Sequence, residues 1–147
     1  MRKIIGLVII FTFFAIPAFS HQPDLTEAVV SRVIDGDTIV LTGGERVRLI
    51  GIDAPERGQS GADEAAQFVR TLIEGRTVWL EADVADRDRF GRLRRYVWLR
   101  QPTNTLNETQ IRRYQLNALL LENGLASVLI IGRVRNEELF RRLERAR

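Results

Sequence analysis

Between Val29 and Pro55 the chain alternates short β-branched runs with tight turn signals, a pattern that admits few folds. Residues 29–34 and 38–41 flank Asp35-Gly36-Asp37, and Thr42-Gly43-Gly44 separates the second run from residues 46–52. Turns this short join strands only as antiparallel neighbours, so the three runs are expected to form a meander. Gly36 is expected to supply a backbone angle that larger residues resist. Pro55 stops the third strand because it has no N–H for the ladder.

A helix is expected next. Ser60 can cap it, Asp63 and Glu64 occupy its first turn, and Ala66, Phe68, Val69, Leu72 and Ile73 form its apolar face up to Gly75. Residues 77–82 and 94–99 read as two further strands, carrying Trp79, Tyr96 and Trp98, with a charged loop over 83–92. Residues 101–109 read as a surface excursion and 111–123 as a helix ended by Gly124. Residues 128–131 are an apolar run of undecided form, and 136–145 a last helix capped by Asn136. Residues 21–26 read as a loose leader. This order points to an α+β fold, a five-stranded OB-type β-barrel with about three helices.

Composition narrows the chemistry. The first 20 residues resemble an export signal: Arg2 and Lys3 precede an apolar run over 4–19, and Ala18-Phe19-Ser20 is a small-x-small site for cleavage before His21. An apolar run of about 16 residues is short of the roughly 20 that span a bilayer, which disfavours the alternative of an uncleaved anchor. Residues 21–147 are then a single secreted or periplasmic domain. The chain has no cysteine, its only lysine is Lys3 and its only histidine is His21. Thiolate metal sites, lysine nucleophiles and histidine bases are therefore excluded, leaving Asp, Glu, Arg, hydroxyls and a hard metal ion. Residues 21–86 carry a formal charge of −7 and residues 87–147 one of +8. An acidic half suited to a cation and a basic half suited to a polyanion fit a metal-dependent enzyme of nucleic acid.

The candidate site residues lie at the turns. Asp35 and Asp37 straddle Gly36 and read either as a polar hairpin turn or as two displayed carboxylates. Asp53 ends a strand just before Ala54-Pro55. Asp37, Asp53 and a backbone carbonyl make an oxygen-only donor set, which suits Ca²⁺. Glu56 can orient an attacking water or accept its proton. Arg48 and Asp53 are five residues apart, an odd spacing that puts them on opposite faces of a regular strand unless Gly51 interrupts it. Arg92, after Gly91, offers a fork for two phosphate oxygens.

Three motifs, Asp-Gly-Asp-Thr at 35–38, Arg-Leu-Ile-Gly-Ile-Asp-Ala-Pro-Glu at 48–56 and Asp-Arg-Phe-Gly-Arg at 88–92, occur in an order and spacing that resemble the thermonuclease (staphylococcal nuclease) family. Asn123-Gly124-Leu125-Ala126 resembles that family's Gly-Leu-Ala segment. The resemblance covers residues 28–142 and implies a five-stranded barrel with three helices and Ca²⁺-dependent cleavage of DNA and RNA to 3′-phosphate and 5′-hydroxyl ends. It implies Asp37, Asp53 and the Ala54 carbonyl as Ca²⁺ ligands, with Asp35 behind them. Arg48 and Arg92 would bind the phosphate and Glu56 would act on the water. Arg89 and Phe90 would contact substrate. Phe90 stands for a family tyrosine, and the aliphatic Leu129-Ile130-Ile131 replaces tyrosines expected to stack on bases.

The expected function is thus an exported endonuclease of little sequence preference, because phosphate contacts carry no base information. Its partners would be DNA and RNA. It is expected to be monomeric, with no lasting membrane association after signal cleavage. The alternative is a non-catalytic OB-type module that binds nucleic acid or an envelope partner.

Overall fold

A computed structural model describes residues 24–147; the export-signal reading of residues 1–20 lies outside them. β1 (Leu25–Asp35) is one long strand that serves two neighbours. Its first half pairs with β5 (Thr77–Glu81), from Leu25 opposite Glu81 to Val29 opposite Thr77. Its second half pairs with β2 (Thr38–Leu41), from Val30 opposite Leu41 to Asp35 opposite Thr38. The register slips twice in that half, and the Ser31 hydroxyl fills the first irregularity by donating to the Val40 carbonyl at 3.0 Å. Such irregularities bend a strand and strengthen its twist. Residues 25 and 26, expected in a leader, are therefore strand, because β5 offers them a ladder partner.

β2 and β3 (Arg46–Leu49) complete the expected antiparallel meander. β3 then runs parallel to β6 (Leu93–Trp98), and β6 runs antiparallel to β5. The result is a closed barrel in the order β1-β2-β3-β6-β5. Val30, Ile39, Val47, Val78, Val97 and Trp98, each 0 % exposed, place the core inside the barrel.

The third strand is shorter than expected. It stops at Leu49, and the chain turns at Ile50-Gly51 before a separate short strand, β4 (Ile52–Asp53). β4 pairs with β7 (Ser127–Val128), which gives the apolar run its form. Gly51 has φ of +77°, and a Cβ there would stand 2.8 Å from the Phe140 ring, so both conformation and space require glycine. The buried Asn117 amide fastens this turn. It donates to the Ile50 carbonyl at 2.9 Å and accepts from the Val97 N–H at 3.0 Å.

α1 (Ala62–Ile73) buries Ala62, Ala65, Ala66, Val69 and Ile73. Ser60 does not cap it; the N-cap is Gly61 in the left-handed region, with no side-chain cap bond. The helix expected over 111–123 divides into α2 (Glu108–Tyr114) and α3 (Leu116–Glu122), because Gln115 between them is extended and bridges to Trp98. Among the described residues four helices thus stand where about three were expected. Asn107 caps α2 by accepting from the Gln110 N–H. α4 (Glu137–Arg145) starts at Asn136, whose side chain makes no cap bond and whose Nδ2 is buried without a partner. α4 docks through Phe140, whose ring meets Tyr96 edge-on with centroids 6.1 Å apart.

Candidate active site

The turn between β1 and β2 sits against β4 and α1. A Cβ on Gly36 would lie 2.7 Å from the Ala54 Cβ and 2.8 Å from the Ala65 Cβ. Gly36 is not among the positive-φ glycines, so close approach, and not the expected unusual backbone angle, is what requires it. That approach brings Asp37 beside residues 53 and 54.

Asp37 is buried. One carboxylate oxygen accepts from the Ala54 N–H at 2.7 Å and the other from the Thr38 hydroxyl at 2.9 Å. Burial pushes its carboxyl up to about 6; the Arg48 guanidinium and the Ala54 N–H pull against that rise, and the neighbouring Asp35 reinforces it. Asp35 also accepts from the Asp37 N–H at 3.2 Å, holding the turn.

Arg48 resolves the odd spacing. Because the chain reverses at Ile50-Gly51, the Arg48 guanidinium donates to the carbonyls of Leu49 at 3.0 Å and Ile52 at 2.8 Å. The same guanidinium reaches Asp53 at 2.8 Å and Asp37 at 3.2 Å through one nitrogen. Arg48, Asp37 and Asp53 therefore share one point in space. Asp53 keeps its second oxygen unengaged among the described residues, and its side chain is 56 % exposed.

Arg92 comes to the same place from the start of β6, the strand that pairs with β3. It follows a turn organised by Asp88, whose carboxylate accepts from the N–H groups of Phe90 at 2.9 Å and Arg92 at 3.0 Å and from Arg92 Nε at 2.7 Å. Burial acts to raise the Asp88 carboxyl, but these bonds outweigh it and hold the group below the usual carboxylate range. With Nε so engaged, the outer guanidinium nitrogens face the site, and one lies 3.5 Å from the Thr38 hydroxyl that serves Asp37. The exposed Phe90 ring has the guanidinium carbons of Arg89 and Arg92 4.8 and 5.4 Å from its centre.

These groups open onto a cleft of about 670 Å³ lined by Arg48, Glu56, Arg89, Phe90 and Arg92, with Arg87 and Arg94 at its sides and Leu129 and Ile131 as an aliphatic wall. Glu56 is exposed on this cleft, and its backbone N–H is fixed by Gln59 at 2.7 Å. Arg94 secures the wall by donating to the Ile131 carbonyl at 3.0 Å. Of the site residues expected from sequence, Arg48, Glu56, Arg89, Phe90 and Arg92 line this cleft; Asp53 and Ala54 line a neighbouring hollow, and Asp37 joins the two groups through its bonds to Arg48 and Ala54, while Asp35 lines neither.

Two supporting residues were not singled out from sequence. Asp88 lay inside a motif without a role; its signal was an acid three residues before a glycine. Asn117 was hidden in a leucine-rich helix, and a lone amide among apolar residues is its only trace.

Among the described residues no three acidic side chains converge closely enough to cage a metal ion unaided. The donor set still suits one hard cation. Two carboxylates (Asp37 and Asp53) meet the Arg48 guanidinium, Asp35 holds the turn behind Asp37, Asp53 has a free oxygen, and the Ala54 carbonyl accepts no hydrogen bond among the described residues. Oxygen donors with waters completing the shell are what Ca²⁺ accepts.

The family model described as staphylococcal nuclease homologue matches residues 46–147. The chain belongs to that family. The staphylococcal nuclease model begins at β3, so Asp35 and Asp37 precede the matched region and are joined to it by the barrel. The thermonuclease of Staphylococcus intermedius is 41 % identical over 80 residues, 48 % of either chain. The thermonuclease of Staphylococcus hyicus is 39 % identical over 95 residues, 58 % of this chain and 56 % of that one. The chain thus spans about half the length of these two relatives. An uncharacterized endonuclease of Escherichia coli O157:H7 is 34 % identical over 116 residues, 76 % of this chain and 70 % of the relative.

Proposed function

We propose that this protein is an exported, Ca²⁺-dependent phosphodiesterase that cuts DNA and RNA internally, leaving 3′-phosphate and 5′-hydroxyl ends. The observation that carries the reading is the meeting of Arg48 and Arg92 beside Asp37 and Asp53 on a cleft that Glu56 also lines. The names of the relatives support hydrolysis of nucleic acid, and the basic cleft supports a polyanionic substrate. The apolar run and cleavage site in residues 1–20 support export.

Asp37, Asp53 and the Ala54 carbonyl would hold the ion. When bound, Ca²⁺ supplies a Lewis acid for a phosphate oxygen and for water. Arg48 and Arg92 bind the non-bridging oxygens and stabilise the charge that builds on phosphorus, and neither has to move far, because Asp53 and Asp88 already hold them. The Glu56 carboxylate is unencumbered by protein partners among the described residues; it orients the attacking water and accepts its proton. Arg89 and Phe90 flank Arg92 and contact the strand beyond the scissile phosphate.

The test is plasmid and RNA digestion with Ca²⁺, followed by chelation and end-group analysis. Digestion that survives chelation would overturn the metal assignment. Glu56→Gln is expected to slow cleavage by about 10²–10⁴-fold with strand binding retained. A wild-type protein that holds strands at every Ca²⁺ concentration without shortening them is a binding module instead.

A further inference from the structure

We propose that a second hollow, lined by Asp53 but by no cationic side chain, receives the nucleoside on the other side of the scissile phosphate from the strand lying in the arginine cleft. The proposal rests on the nuclease reading above and extends it to both flanks of the cut.

The hollow has a volume of about 280 Å³ and lies between the loop from Asp53 to Ser60 and the segment from Gly124 to Ser127. It adjoins the cleft at one ion pair: Arg48 lines the cleft, Asp53 lines the hollow, and they bond at 2.8 Å. A phosphate seated on Arg48 would therefore lie at the border of the two depressions.

The two depressions differ in charge. Five arginines line the cleft, whereas Asp53 is the only charged residue lining the hollow. Asp53 and the Ala54 carbonyl would be engaged with the ion, and the rest of the lining has no cationic side chain to grip a second phosphate, so what it can take is an uncharged sugar and base. The remaining lining suits such a group. Pro55, Leu125 and Ala126 offer apolar surface, and the exposed Ser60 and Ser127 hydroxyls make no hydrogen bond among the described residues. Apolar walls with a few polar groups are the usual make-up of a small-ligand site. The hollow is also preformed, because Asp53 pairs with Ser127 in the β4–β7 ladder and the Arg147 guanidinium holds the Ala126 carbonyl at 3.1 Å.

The test uses Ser60→Phe and Ser127→Phe, two exposed positions on separate segments, so that an accident of folding in one is exposed by the other. The substrate is a single-stranded oligonucleotide, intact or with one abasic sugar, cut in Ca²⁺ with each cleavage position mapped. With the intact strand, both variants are expected to raise KM about tenfold, the loss of one base's contacts, with kcat within about twofold of wild type. Wild type should cut both linkages flanking the abasic sugar slowly. In the variants, one of those two linkages should be cut as fast as unmodified ones, since the filled hollow no longer reads a base. An unchanged KM, or a rise in KM that leaves both abasic linkages disfavoured, would overturn the proposal while leaving the nuclease reading intact. Failure of wild type to cut any strand removes the nuclease reading and this inference with it.

Discussion

Two of the places where carboxylates gather at an arginine, around Arg48 and around Arg135, are finished differently. At Arg135 every acceptor has a donor. Glu81 is buried, takes the Trp98 Nε1–H at 2.8 Å on one oxygen and pairs with Arg135 through the other. Asp83 accepts from the Tyr96 hydroxyl at 2.6 Å and from the N–H groups of Arg135 and Val84, both at 2.9 Å. At Arg48, by contrast, Asp37 is satisfied, but Asp53, Asp35 and Glu56 keep carboxylate oxygens with no donor among the described residues. A saturated cluster is a lock that holds the entry to α4 against the barrel. One with surplus acceptors at a cleft mouth has affinity left for something that arrives from solution.

The sharpest way to break this comparison is to remove each arginine in turn. Arg48→Gln is expected to lower the cleavage rate per folded molecule by about 10³-fold, the scale of losing a preorganised transition-state donor. A rate within tenfold of wild type would place Arg48 outside the chemistry. Arg135→Met should do the converse, costing about 3 kcal/mol of stability in urea melts because Glu81 is left buried and unpaired, with the rate per folded molecule unchanged. A smaller effect comes from Gly36→Ala. Its new methyl must displace Ala54 or Ala65, at a cost of about 1–3 kcal/mol, and the Asp37–Ala54 bond should loosen. A variant as stable and active as wild type would show that the turn is not wedged.

The finest comparison is the pH response of the metal-free protein. Asp37 has its carboxyl raised to about 6 by burial, so the folded state binds a proton more tightly than the unfolded chain does. Its contribution therefore favours folding increasingly as pH falls through 6 toward the unfolded value near 4. Asp83 has the opposite sign. Burial raises it, but the bonds from Arg135, Tyr96 and Val84 prevail and lower it, so its stabilisation is lost as pH falls below the usual carboxylate range. NMR titration should show one carboxyl moving near pH 6 that is absent from Asp37→Asn. The lack of such a transition would mean that Asp37 is better compensated than its burial implies.

Much of the fold was legible because turn chemistry and β-branched runs are local signals. The meander, the helix ending at Gly75 and the two tryptophan-bearing strands needed no tertiary information. What escaped was set by long-range partners. Leu25 is strand only because β5 lies beside it, and Gln115 breaks a helical pattern because its backbone bridges to Trp98. Gly36 could be flagged as a glycine, but its reason, two alanine methyls from elsewhere in the chain, is invisible in one sequence. The meeting of Arg48 with Asp53 was in conflict with strand spacing until Gly51 divided the strand, and the amide that fastens that division comes from residue 117.

That last dependence has a temporal side. Arg48, Asp53, Glu56 and Arg92 are all synthesised before Asn117 and Phe140, the two side chains packed on the Ile50-Gly51 turn. A nascent or truncated chain carries the whole reactive set without the brace that aims it. On the proposed nuclease reading, cleavage would have to wait until residues 117 and 140 have been made and packed, a delay written into the order of the chain.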